Sequence, residues 1–159
     1  MGRYASKTNV SSAKSRSDIE DTLVKYGACG FMYGWQGNEA VLAFMFDGKQ
    51  IKFKVSMPDK SDKEFRTTPT GRERKNEDSV IKEWEQATRQ RWRALLLIIK
   101  AKLEGIESGI TTFEDEFMAW IVTADGKQVR DHVLPSLETM YKDGKMRKLL
   151  PAASYTEGE

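Results

Sequence analysis

Residues 29–57 read CGFMYGWQGNEAVLAFMFDGKQIKFKVSM, and this stretch decides the fold. Apolar and aromatic residues fall at every second position: Phe31, Tyr33 and Trp35, then Ala40, Leu42 and Phe44, then Ile51, Phe53, Val55 and Met57. A period of two marks strands with one buried face. Gly37-Asn38 and Asp47-Gly48 interrupt the pattern where two-residue hairpin turns fit, and Asp-Gly is a strong type I′ signal. Loops at those positions pair Trp35 with Ala40, Tyr33 with Leu42 and Phe31 with Phe44. They also pair Phe44 with Ile51, Leu42 with Phe53 and Ala40 with Val55. A slip of one residue would carry Lys52 and Lys54 into the core, so the pattern favours this register. The expectation is a three-stranded antiparallel meander with one aromatic core face.

Its other face carries Gly30, Met32 and Gly34, then Val41, Ala43 and Met45, then Gln50, Lys52 and Lys54. A solvated sheet face is ordinarily polar. This one is flat, semi-apolar and basic along one edge. Either the first or last helix covers part of it, or it is a contact platform for another subunit or a nucleic-acid strand.

Upstream, Ser17 to Glu20 fits the S-x-x-E capping box, with Ile19, Leu23 and Tyr26 as the apolar stripe and Gly27 as the stop. Residues 1–17 carry Arg3, Lys7, Lys14 and Arg16 without an acid and read as a flexible basic arm. Downstream, residues 58–78 are polar and broken by Pro69 and Gly71, which reads as a solvated loop.

A long helix is expected over 79–108, with Ser79 as N-cap and Gly109 just past its end. Ile81, Trp84, Thr88, Trp92, Leu95, Ile99, Leu103 and Ile106 share its core arc. Lys82, Gln86, Arg89, Gln90, Arg93 and Lys100 form the opposite line. Arg91 falls inside the apolar arc, where a guanidinium must snorkel or meet a carboxylate; Glu114, Asp115 and Glu116 are the nearest candidates, with Glu20 and Asp21 as the alternative.

Thr111 or Thr112 caps a further helix with Phe113, Phe117, Trp120 and Ile121 as its stripe. Val129 to Tyr141 is the last helix, with Pro135 near its first turns or splitting it, and Asp143-Gly144 ends it. A basic tail of Lys142, Lys145, Arg147 and Lys148 follows, and residues 153–159 are a polar end. The fold class is therefore α+β: a short helix, the meander, a long helix packed on the sheet, and a C-terminal helical segment, with residues 18–152 as a single domain.

The chain has 159 residues, with 26 Lys+Arg against 24 Asp+Glu, a net of +2 that excludes a histone-like polycation. Its one cysteine, Cys29, excludes a disulfide framework. Its one histidine, His132, leaves almost no material for a zinc cluster or a Ser-His-Asp triad. A Cys29–His132 nucleophile pair is disfavoured because Cys29 enters a strand and reads as core. Phosphate-loop and dinucleotide glycine motifs are absent. Glu114, Asp115 and Glu116 point three ways on a helix with no histidine nearby, a poor metal site. A non-catalytic protein without a cofactor is expected. The longest apolar run, Ala94 to Ile99, is far short of the roughly 18 residues that a membrane span needs. The polar N-terminus lacks a signal-peptide core. No membrane and a cytoplasmic location are the expectations.

Two segments, SAKSRSDIEDTLVKYGACGFMYGW at 12–35 and RQRWRALLLIIKAKLEGIESGITTFEDEFMAWIV at 89–122, stand with an ADG turn at 124–126 and LLP at 149–151. Together with the intervening meander they resemble a family of small bacteriophage and prophage proteins, over most of residues 10–152. The resemblance implies a phage or prophage source and a host-cell cytoplasm. The helix–three strands–helix order is also similar to the core of phage single-strand annealing proteins, at the level of topology.

The leading expectation is a phage accessory protein that binds nucleic acid, single-stranded DNA in recombination or replication being one setting. Lys52 and Lys54 on the sheet, Arg89 and Arg93 on the long helix, and Lys145, Arg147 and Lys148 in the tail would neutralise phosphates without reading bases. Tyr4, Phe65 and Met32 are candidates for stacking or apolar contact. The alternative is a protein-interaction module: an inhibitor of a host defence enzyme, an assembly subunit, or a homo-oligomer joined through the sheet face. Geometry discriminates. One contiguous basic face favours nucleic acid, whereas an open Met32–Ala43–Met45 patch apart from the cations favours a protein.

Overall fold

The computed structural model describes residues 8–73 and 76–149. Its elements are α1 (Ser12–Lys25), β1 (Cys29–Gln36), β2 (Glu39–Phe46), β3 (Lys49–Ser56), α2 (Lys63–Arg66), α3 (Glu77–Glu107), α4 (Phe113–Phe117) with a 3-10 turn at Met118–Trp120, and α5 (Val129–Asp143). The strands form one antiparallel sheet in the order β1-β2-β3, and the fold is α+β.

The expected register holds across β2 and β3, where Ala40 faces Val55, Leu42 faces Phe53 and Phe44 faces Ile51. Asp47 and Gly48 both take positive φ, 46° and 70°, as a type I′ turn requires. Between β1 and β2 the pairs Trp35–Ala40 and Tyr33–Leu42 form, but the Phe31–Phe44 pair does not. A bulge between Cys29 and Met32 shifts the end of the ladder so that Cys29 faces Met45. Gly30 makes the bulge, with φ +62°; a Cβ there would meet Met45 Cγ at 3.1 Å. Phe31 still reaches the core side, where its ring stacks on Phe44 at 6.0 Å.

The helix before the sheet starts earlier than expected. Ser11, not Ser17, is the N-cap, and its hydroxyl accepts from Lys14 N at 3.1 Å. Lys14 and Arg16, assigned above to the flexible arm, are therefore helical. Arg3, Tyr4 and Lys7 lie outside the described residues, as do positions 150–159 and with them the polar end. Ile19 and Leu23 join Leu42, Phe44, Ile51, Phe53, Trp92, Leu96 and Ile99 in one core cluster, so α1 and α3 both lie on the aromatic side of the sheet.

The long helix begins at Glu77, capped by Asn76 rather than Ser79, because the Asn76 side chain accepts from Asp78 N at 2.9 Å. Gly109 takes φ +69° just beyond it, as expected. Residues 58–73 are not a simple solvated excursion. Phe65, 3% exposed, is carried by α2 onto Val80, Ala87 and Trp84, and the Trp84 indole donates to Pro58 O at 2.8 Å. This second small core also draws Val80 and Ala87 inward, outside the expected arc.

Thr112 caps α4 by accepting from Asp115 N at 3.2 Å. Phe113 and Phe117 are buried there, but Ile121 is not helical: it bridges to Ile51. Pro135 sits inside α5 without splitting it.

Gly48→Val forces a β-branched residue into left-handed backbone at the second hairpin. We expect a loss of about 1–3 kcal/mol in chemical denaturation; an unchanged midpoint would contradict the turn's role in setting the register.

Candidate interaction surface at the free edge of the sheet

Backbone parity determines what β3 offers to the outside. Met57 N donates inward to Asn38 O at 2.7 Å, which sets the odd-numbered residues of β3 as those bonded to β2. The even-numbered residues turn their N–H and C=O groups outward. Gln50 O accepts from Val122 N at 2.8 Å, and Lys52 O accepts from the Gln128 side-chain amide at 2.5 Å. Gln128 is buried and also caps α5 in a reciprocal box with Asp131. Thus residues 121–128 engage the outward carbonyls of β3 as far as Lys52. Beyond that, among the described residues, the backbone groups of Lys54 and Ser56 meet no partner.

Beside this open edge lies a groove of about 280 Å³, walled by Phe53 and Val55 from the sheet, Leu95 and Ile98 from α3, and Trp120. Ile98 is 50% exposed. Lys54 and Arg91 line the groove as well, and no acid does. The Arg130 guanidinium lies 5.0 Å from the Trp120 ring centroid. The expected ion pair of Arg91 is not formed. Arg91 is exposed and has no ion-pair partner among the described residues, because the three acids named for it go elsewhere. Glu114 pairs with Lys49 at 3.4 Å, Glu116 with Lys102 at 2.8 Å, and Asp115 accepts from the Thr112 hydroxyl at 2.7 Å. Arg91 thus snorkels at the rim.

The seven cations singled out from the sequence fall on three separate parts of the molecule. Lys52 and Lys54 stand on the outer side of β3, Lys52 half-buried and Lys54 exposed. Arg89 and Arg93 are on α3, across the sheet from them. Arg89 donates to Gln86 Oε1 at 2.7 and 3.2 Å and lies 3.8 Å from Glu85. Arg93 faces α1, 3.9 Å from Asp18. The Asp18 carboxyl is held below its ordinary value first by the Lys14 hydrogen bond, with Lys100 and Arg93 adding. Arg147 pairs with Asp143 at the end of α5, Lys148 O accepts from Ser136 Oγ at 3.1 Å, and Lys145 is exposed beside them.

On the sheet's outer face Met32 is 54% exposed, while Ala43, 2% exposed, is shielded. The first helix does not cover this face, since it packs on the aromatic side, and α5 has no buried residue.

Cys29 is exposed at the start of β1, not in the core. It stands on the edge opposite the segment that holds His132, so the two do not form a nucleophile pair. His132 Nε2 instead meets Thr123 Oγ1 at 3.1 Å and Asp125 Oδ1 at 3.3 Å. Among the described residues no three His, Cys, Asp or Glu side chains gather to hold a metal ion. No described helix is long and apolar enough to cross a membrane.

Arg91→Ala should leave stability within about 0.5 kcal/mol of the parent, since the side chain is exposed and has no ion-pair partner among the described residues; a large drop in melting temperature would mean a structural role.

Asp125 provides a pH test. Its carboxyl is lowered from 3.8 to about 2, first by the Thr123 hydroxyl, then by the Lys127 N–H, with His132 adding. A depressed folded pKa contributes stability above the unfolded value, and that contribution fades as pH falls from 3.8 towards about 2. Melting curves of Asp125→Asn should therefore lie below the parent at neutral pH and converge with it in that acid window. A gap independent of pH would refute the assignment.

No family model, no curated protein and no solved structure matches this chain, so its function rests on the placement of these residues.

Proposed function

We propose that this chain is a non-catalytic protein-binding module, an accessory protein of a bacteriophage or prophage that engages its partner through the free edge of its sheet. The observation that carries this reading is the strip beside β3, where backbone groups of Lys54 and Ser56 without a partner among the described residues adjoin an apolar groove. Edges of this kind invite strand pairing unless something covers them. The resemblance of residues 12–35 and 89–122 to phage proteins supports the source and, with it, a host cytoplasm.

Nucleic acid has weaker support. The cations on α3 and at the end of α5 are separated from those on the sheet, and Arg93 and Arg147 face acids of their own chain. Phe65, a stacking candidate, is buried. Met32 remains exposed on the outer face but is not beside an aromatic platform.

Fluorescent single- and double-stranded oligonucleotides, titrated at several salt concentrations, separate the readings. A protein-binding module should show no salt-dependent binding in the low micromolar range, and random-peptide display on the folded protein should enrich binders. Oligonucleotide binding that weakens on joint Lys52→Glu and Lys54→Glu substitution, with a flatter log–log salt slope, would replace this reading with nucleic-acid binding.

A further inference from the structure

We propose that the partner contributes an extended segment of alternating apolar and acidic residues, which adds to β3 at Lys54 and Ser56 as a fourth strand; this rests on the protein-binding reading above. The chain itself already places one main-chain bridge on this edge. Ile121 bridges to Ile51 in antiparallel sense, and Val122 N donates to Gln50 O at 2.8 Å. The 3-10 turn at Met118–Trp120 then leads the chain away and leaves residues 53–56 open. An incoming strand continues the line that this single bridge begins.

Strand addition recognises main chain through main chain, and alternate side chains through pockets. Lys54 and Ser56 supply two N–H and two C=O groups along the edge. Every second residue of the added strand projects to the aromatic side of the sheet, where the groove between β3 and α3 lies. Phe53, Val55, Leu95, Ile98 and Trp120 offer an apolar contact there. At about 280 Å³ the groove is below the roughly 300–1,000 Å³ of pockets for drug-sized ligands, and a single large side chain suits it better.

Charge selects the partner. Arg91 rims the groove, whose lining has no carboxylate, while Lys52 and Lys54 stand on the outer face of the same strand. Acidic residues between the apolar ones project to that outer face, beside Lys54. A second copy of this chain fits less well, because antiparallel pairing of two β3 edges around residues 54–56 sets Lys54 close to its own equivalent, a like-charge juxtaposition.

The test uses the full chain and a fluorescein-labelled, end-blocked peptide Glu-Val-Glu-Ile-Glu-Val. Anisotropy should show saturable binding, and the amides of Lys54 and Ser56 should become protected from hydrogen exchange. Binding should weaken by about tenfold or more when alternate peptide amides are N-methylated, the expected consequence of losing two or so main-chain hydrogen bonds. It should also weaken when the glutamates are replaced by lysine. Ile98→Arg and Lys54→Glu, both at exposed positions, should weaken it with melting temperatures unchanged. Failure of the peptide to bind, indifference to N-methylation, or equal binding of the lysine peptide would overturn the proposal. If display-selected peptides still bind but ignore Ile98→Arg and Lys54→Glu, the edge assignment falls while the protein-binding reading stands. Self-association lost in these variants would assign the edge to a second copy and overturn the acidic strand. Oligonucleotide binding lost in them, without peptide binding, would overturn both.

Discussion

A three-stranded sheet with one aromatic face and no second sheet to pack against must be covered by helices, and that constraint organises this molecule. Phe31, Tyr33, Leu42, Phe44, Ile51 and Phe53 all project to one side. Trp92 of α3 lies at the heart of the cover, 6.3 Å from the Tyr33 ring and 6.1 Å from Trp35, with Arg16 of α1 5.3 Å away. Phe117 of α4 meets Phe44 and Phe53 edge-on at 6.4 and 6.2 Å. α1, α3 and α4 are thereby all committed to the aromatic face. The half-exposed Met32 is a consequence of that allocation rather than a separate feature.

The same economy of strands leaves two edges, and they are treated differently. The Gly30 bulge disturbs the ladder at the start of β1, a familiar way to discourage pairing with another chain. At β3 the cover is partial: the Ile121–Val122 bridge and one buried glutamine side chain meet the carbonyls of Gln50 and Lys52, and nothing described meets Lys54 and Ser56. An edge sealed over half its length and left open over the rest, beside an apolar groove, has the form of a docking strip.

Ion pairing explains why the surface charge does not gather. Several acids sit within reach of a lysine or arginine: Asp18 with Lys14 of its own helix and Arg93 of α3, Glu114 with Lys49, Glu116 with Lys102. Each such solvent-screened pair contributes little to stability. Their larger effect is on the field, since paired cations present little net potential to a distant polyanion. Glu107, unfavourable for the dipole of its own helix, accepts from the Tyr26 hydroxyl at the end of α1 instead, and this contact raises the Tyr26 pKa.

The meander, its β2–β3 register and the approximate course of the long helix were legible in the sequence because each depends on near neighbours. Side chains two apart share a face of a strand, residues three and four apart share a face of a helix, and Asp47-Gly48 fixes a turn through its own φ angles. The edge strip was not legible, because it depends on which distant segments dock. Nothing local to Phe65 says that it will settle on Val80 and Ala87, and nothing local to Gln128 says that it will reach the carbonyl of Lys52. Arg91 shows the limit most clearly. Helical periodicity placed it in the apolar arc, but whether that arc is covered at Arg91 is decided by how far the sheet extends beneath it, and the sheet ends at β3. Local geometry thus determined the elements and their faces; only tertiary packing decided which stretches of those faces remain open.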